Sequence, residues 1–340
     1  MTVNHWEFLE SDQRLLPALW DTLPEKVFDI HAHIYRLDCL GEQAELYVKG
    51  PAEASVEVWH EHVGRIVGDS RLVGGLLVPP PPSSDAYIEA ANRYVISQLA
   101  EHPDSKGLVL ISPYMQKGLL EEYLANTQIV GFKPFSTFAD YSPVWQAPLA
   151  SYLPEWAWEI ADERGYMMLV HLVRDKALND PENYQEITRM CEKYPRAKLL
   201  LDHAARGFHA PNTQEGVKRV AGLENIWFDI SCICEPLPMI AILQTFGCKR
   251  LVWGSDFPLS QFRGKAVTVG NGFFWLGSSN VDWDSYADMC MPTLIGIESL
   301  RAAKDAFEIL GLGKGEAESI FYRNAVQLTN PLLLGSDLGE

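Results

Sequence analysis

Eight short apolar runs punctuate the chain: Val27 to His31, Leu72 to Val78, Gly107 to Ser112, Ile129 to Lys133, Met167 to His171, Lys198 to Asp202, Ile226 to Ile230 and Leu251 to Ser255. Between them lie stretches with helical periodicity, among them Asp85 to Glu101, Trp145 to Arg164 with a break near Pro154, Pro181 to Tyr194, Gln214 to Gly222 and Pro236 to Phe246. Several of these open on Ser, Asp or Pro, residues that suit the first turn of a helix. Alternation of this kind predicts parallel strands joined by helical crossovers, and eight is the strand number of a (β/α)8 TIM barrel. Leu294 to Leu310 and Gly315 to Leu328 read as closing helices, and no repeat or low-complexity tract interrupts the pattern. One barrel domain over residues 1–340 is therefore expected, since α/β barrels exceed the usual domain length as single units.

In such a barrel the chemistry sits at the C-terminal strand ends. The first strand ends Asp29-Ile30-His31-Ala32-His33, and residues i and i+2 of a strand share a face, so two imidazoles point at one place. His60 and His62 share that spacing, but in helix-like sequence, where i and i+2 diverge; they are expected at the surface. His171 ends the fifth strand, His203 follows the sixth and Asp256 the eighth. Imidazoles on three strand ends and a carboxylate on a fourth, converging on one mouth, form a donor set for a catalytic divalent ion with an open position. Arg36, Arg174, Arg206 and Arg263 also follow strand ends. Long loops, Tyr35 to Gly68 and about 263–292, should wall the mouth, the second offering Phe273, Phe274 and Trp275 as a cover.

The charge balance sharpens this. With 28 Lys+Arg against 45 Asp+Glu, the net charge is −17; nucleic acid and anionic membrane are poor partners for such a chain. A local excess of arginine inside that field points to a small anionic substrate, a carboxylate gripped by Arg206 first, then Arg174 and Arg36. Six cysteines without CxxC spacing read as reduced thiols, with Cys232 and Cys234 structural. Glu7, Glu10 and Asp12 break any apolar leader, and a cytoplasmic location is expected. A homo-oligomer is compatible with all of this. The chain carries no Walker A, GxSxG or HExxH pattern and no dinucleotide fingerprint.

Taken in order, His31-Ala-His33, Gly131-Phe-Lys133-Pro134, His171, Asp202-His203, Gly254-Ser255-Asp256-Phe257-Pro258 and Asn324-Ala325 resemble the amidohydrolase superfamily. The likeness is to its amidohydrolase-related group of small hydrolases, lactonases and nonoxidative decarboxylases. The resemblance implies a TIM barrel in which His31, His33, His171 and Asp256 hold one divalent metal, zinc or manganese. Asp256 then acts as general base and His203 as acid, base or carbonyl polariser. It also raises Lys133 as a carbamylated bridge between two ions, although the Gly-Phe-Lys-Pro pattern looks like the one-metal members. The expected activity is hydrolysis of a small carboxylate-bearing ester, lactone or amide. Nonoxidative decarboxylation is the alternative, and a barrel that binds without turnover is the third.

Overall fold

The computed structural model describes residues 6–43, 50–277 and 279–331. Eight parallel strands follow one another round a sheet in chain order: β1 (Val27–His33), β2 (Leu72–Val78), β3 (Lys106–Ile111), β4 (Ile129–Pro134), β5 (Met167–Val170), β6 (Lys198–Leu201), β7 (Ile226–Asp229) and β8 (Leu251–Val252). The last strand stops three residues short of the expected Ser255. Chain continuing past it returns to the first, with Ile30 N donating to Trp253 O at 3.2 Å and His33 N to Phe257 O at 2.7 Å. That joins β1 to β8 and closes the (β/α)8 barrel. Gly254 permits the approach, because a Cβ there would stand 2.8 Å from His31 Cβ. Gly131 does the same between β4 and β5, where a Cβ would fall 1.9 Å from Met167 O.

Helices cover the barrel: α1 (Glu10–Trp20), α2 (Val56–Val67), α3 (Ile88–Leu99), α4 (Lys117–Leu124), α5 (Glu155–Arg164), α6 (Pro181–Lys193), α7 (Ala210–Arg219), α8 (Pro236–Phe246) and α9 (Ile295–Leu310). The helix expected from Trp145 begins only at Glu155, since Pro148 and Pro154 confine the chain before it to short 3-10 turns. The loop after β8 holds a hairpin that sequence reading took for irregular chain, Gly264–Val269 paired antiparallel with Gly272–Gly277. Residues 44–49 of the loop Tyr35 to Gly68 lie outside the described residues. Among the described residues, no helix is long and apolar enough to cross a membrane.

Packing divides into two layers. Phe28 and Ile30 of β1, with Leu76, Val78, Leu108, Val130, Met167, Leu169, Leu200, Trp227 and Val252, form one cluster with a contribution from every strand, which fills the barrel interior. The larger cluster lies between strands and helices and includes Val27 and Ala32. Strict alternation from Phe28 and Ile30 would therefore send His31 and His33 outward, beside Asp29. A bulge prevents this: between Asp29 and Ala32 the first strand advances three residues while β2 advances two, from Gly75 to Leu77. Bulges re-aim side chains in this way. Below it Asp29 faces helix α2, accepting from Trp59 Nε1 at 2.9 Å; above it His33 pairs with the inward Val78.

Candidate metal centre

His31 and His33 bring their Nε2 atoms to 3.1 Å of each other. Asp256 Oδ1 lies 3.3 Å from His33 Nε2 and 3.6 Å from His31 Nε2. All three residues are buried. The other nitrogen of each imidazole is already engaged, His31 Nδ1 with Asp229 Oδ2 at 3.0 Å and His33 Nδ1 with Val78 O at 3.3 Å. Protons placed on those nitrogens leave both Nε2 lone pairs facing a carboxylate oxygen. Tetrahedral zinc with bonds of about 2.0–2.1 Å sets its ligands roughly 3.3 Å apart, so these spacings fit a divalent ion among the three donors. Carboxylate-to-histidine contacts like that of Asp229 hold a ligating ring in one tautomer.

His203 stands on the other flank of Asp256, its Nε2 3.8 Å from Asp256 Oδ2. Its Nδ1 meets Ser231 O at 3.1 Å and Ser231 Oγ at 2.8 Å, and its backbone N–H donates to Asp229 Oδ1 at 3.0 Å. Asp229 and Ser231 thus orient two imidazoles at once. Sequence reading passed over both, although Asp229 ends β7 just as His171 follows β5.

Left-handed backbone concentrates at the same place. His203, Ala204, Ala205 and Arg206 run at φ 52 to 62°, and Arg174, Cys232 and Asp256 are left-handed as well. Each such non-glycine residue costs about 1–2 kcal/mol, and strain of this kind gathers at functional sites. Here it turns the chain sharply after β6 and keeps both His203 and Arg206 at the mouth.

Electrostatics follow from burial and neighbours. Burial opposes charge on Asp256, but His203, His31 and His33 hold its carboxyl well below the usual carboxylate range. Asp229 is likewise drawn down to about 2 against its burial by His31 and His203. For His31, burial and Lys133 oppose a charge, yet Asp202, Asp229 and Asp256 lift it above the ordinary imidazole value. Burial pushes His33 down, and it pushes His171 well down with help from His203 and Lys133.

The other expected residues separate. His171 does not join the His31, His33 and Asp256 group; it groups with Asp202 and His203, its ring centroid 5.2 Å from that of His203. Lys133, the expected bridge, has its Nζ in a buried ion pair with Asp202 Oδ2. Arg36 is exposed and paired with Asp38, and Arg174 is clamped by Asp180 at 2.9 Å and Glu182 at 2.6 Å. Both guanidinium groups are thus engaged by carboxylates of their own neighbourhood. Arg263 is buried against Asp12, tying α1 to the loop after β8. Arg206 differs: among the described residues it forms no ion pair, donating Nη1 to Arg174 O at 2.8 Å and lying over the Phe273 ring at 5.8 Å.

The aromatic wall forms in part. Phe208 packs against His203, Phe273 and Trp275 with centroids 5.3, 5.3 and 5.0 Å away, while Phe274 is exposed. Cys232 and Cys234 are buried, in keeping with a structural role. His62, expected at the surface, packs edge-on to Trp6 at 5.0 Å, and His60 meets Leu72 O at 3.2 Å.

Comparison with known proteins agrees with this architecture. The family model described as Amidohydrolase matches residues 66–328, so the paired histidines of β1 lie outside the matched stretch. A curated L-fucono-1,5-lactonase of Burkholderia ambifaria is 28% identical over 123 residues, covering 32% of this chain and 42% of the lactonase. The chain thus spans under half the length of that relative. Among solved structures, a probable 2-pyrone-4,6-dicarboxylic acid hydrolase from Acinetobacter baumannii is 16% identical with a TM-score of 0.55, over 89% of this chain and 99% of that one. A dihydroxybenzoic acid decarboxylase from Polaromonas, solved with manganese, is 15% identical with a TM-score of 0.53, over 90% and 97%.

Proposed function

Starting from the fact that the chain belongs to the amidohydrolase family, we propose that it is a metal-dependent hydrolase of a small carboxylate-bearing ester, amide or lactone, with a lactone the best supported. The observation that carries this reading is the triple of His31, His33 and Asp256 donors, 3.1 to 3.6 Å apart, beside His203. The partial likeness to a lactonase supports the choice of bond.

A divalent ion held by His31, His33 and Asp256, zinc first and manganese second, would supply Lewis acidity and a water that ionises near neutral pH. The protein's own groups do the rest. Asp256 takes the proton from the attacking water. Asp256 then passes the proton to His203 Nε2, 3.8 Å from its Oδ2, and His203 delivers it to the leaving oxygen. Arg206 binds the substrate carboxylate through the guanidinium edge that it does not use on Arg174 O, and the Phe273 face keeps that cation oriented.

The decarboxylase reading draws on the same strand-end residues and on the likeness to a manganese-bound decarboxylase. One experiment decides: zinc- or manganese-loaded protein is offered carboxylated lactones and hydroxybenzoates while acid release and CO2 are followed together. Ring opening with one proton released per turnover is expected, and CO2 without ring opening overturns the hydrolase reading.

A further inference from the structure

At the end of the barrel opposite the mouth, a cavity of about 360 Å³ opens between the start of β7, the turn Cys248–Arg250 before β8 and the short helix Asn324–Leu328. Its walls include Trp227, Phe246, Arg250, Gln327 and Leu328. That volume lies within the range of small-molecule sites. None of these residues enters the reaction above.

Arg250 gives the cavity its chemistry. The residue is half-buried, and its guanidinium lies over the Trp227 ring, 4.5 Å from Cζ to centroid. Burial pushes it down from its ordinary value, and Glu224 opposes that only through space. Among the described residues it forms no ion pair and no side-chain hydrogen bond. An arginine with a purely structural task at this depth would spend its five donors on the protein; Arg263, buried against Asp12, does so. The platform beneath Arg250 is fixed. Asn324 Nδ2 donates to Cys248 O at 2.7 Å and to Leu251 O at 2.8 Å, pinning both ends of the turn, and Phe246 packs on Phe228 with centroids 5.2 Å apart.

A guanidinium held by its face on an indole presents its N–H groups edgewise, which is the arrangement that takes a carboxylate with two parallel hydrogen bonds. Trp227, Phe246 and Leu328 supply apolar wall around that edge, which suits a flat hydrocarbon body better than a phosphate. We propose that this cavity is a second ligand site, remote from the metal centre, for a small monocarboxylate with a flat apolar body whose carboxylate pairs with Arg250.

The inference stands apart from the proposed reaction, and benzoate tests it. Labelled benzoate is dialysed to equilibrium against zinc-loaded wild type, Arg206→Ala and Arg206→Ala/Arg250→Gln, the Arg206 change weakening any carboxylate binding at the mouth. Saturable binding is expected in the wild type and in Arg206→Ala. The double variant should lose one equivalent at concentrations that fill Arg206→Ala, its affinity there falling about 10–100-fold. Unlabelled acetate and benzyl alcohol, which lack the flat body and the charge respectively, should each compete at least about tenfold less well than unlabelled benzoate. No saturable binding in the wild type overturns the inference, as do equal counts in Arg206→Ala and the double variant. Binding that vanishes with Arg206→Ala alone places benzoate at the mouth and overturns it too. Competition by either fragment equal to that of benzoate overturns the ligand class. Arg250→Lys, which keeps the charge and loses the fork, is measured in the same background; should the glutamine variant fail to fold, undiminished binding in the lysine variant overturns the inference, and a several-fold loss upholds it.

Discussion

On the β1 and β8 side of the mouth, His31 Nε2, His33 Nε2 and Asp256 Oδ1 face one another at 3.1 to 3.6 Å. On the β4 to β6 side, an equivalent carboxylate, Asp202, faces Lys133. Both carboxylates are buried, and each sets its oxygens where water cannot fully solvate them. On the first side the carboxylate oxygen faces two imidazoles, on the second an ammonium that the chain itself supplies. Equal donor types therefore stand in different electrostatic settings, because a lysine ammonium already occupies the carboxylate oxygen on the β4 to β6 side.

The largest break in that contrast comes from His33→Ala. Without it the first group keeps two donors, so bound zinc should fall from one equivalent to none and turnover to background, with the far-ultraviolet spectrum unchanged. Full zinc occupancy in the variant would sink the ligand assignment. Asp256→Asn follows in size. The amide still offers an oxygen but cannot accept a proton, so much of the metal should stay while kcat drops by about 10²–10⁴-fold; an active variant removes Asp256 from proton transfer.

Asp229→Asn tests the support beneath the first group. Loss of the carboxylate on His31 Nδ1 should weaken zinc about 10–100-fold, read by competition with a chromophoric chelator. The same residue gives a pH signature in metal-free protein. Its folded pKa, about 2, lies below the ordinary 3.8. Its contribution to stability is thus fully present above about pH 4 and is lost as pH falls through 2. Denaturation midpoints of the variant should show a shallower acid limb than those of the wild type, and identical limbs would count against the ion pair.

How much of this was legible beforehand depends on what kind of signal each residue leaves. Strand runs such as Leu72 to Val78 carry their own hydrophobic pattern, and they emerge where the sequence places them. His31, His33, His203 and Asp256 announce themselves as unusual residues at strand ends. The route by which His31 and His33 come to point inward was hidden, because the bulge after Asp29 is a matter of register against β2 rather than of composition. Asp229 was hidden too, since nothing in a lone carboxylate tells an orienting group from a surface one. The arginines show the same gap: Arg36, Arg174, Arg206 and Arg263 follow strand ends alike, and only coordinates reveal that three of them have carboxylate partners.

Arg206 and Arg36 turn that gap into the last two measurements. Losing a charge-assisted hydrogen bond to a carboxylate costs about 1.5–3 kcal/mol. Arg206→Ala should therefore raise KM for a carboxylated substrate roughly 10–100-fold and leave an uncharged analogue nearly unaffected. A uniform loss across both substrates would assign Arg206 to packing against Phe273 instead of recognition. Arg36→Ala should change almost nothing. Its side chain is 50% exposed and its partner Asp38 62% exposed, and water screens an ion pair of that kind to a small fraction of its contact energy. Unchanged KM and an unchanged midpoint for unfolding are expected, and a rise in KM like that of Arg206→Ala would return Arg36 to the substrate's edge of the mouth.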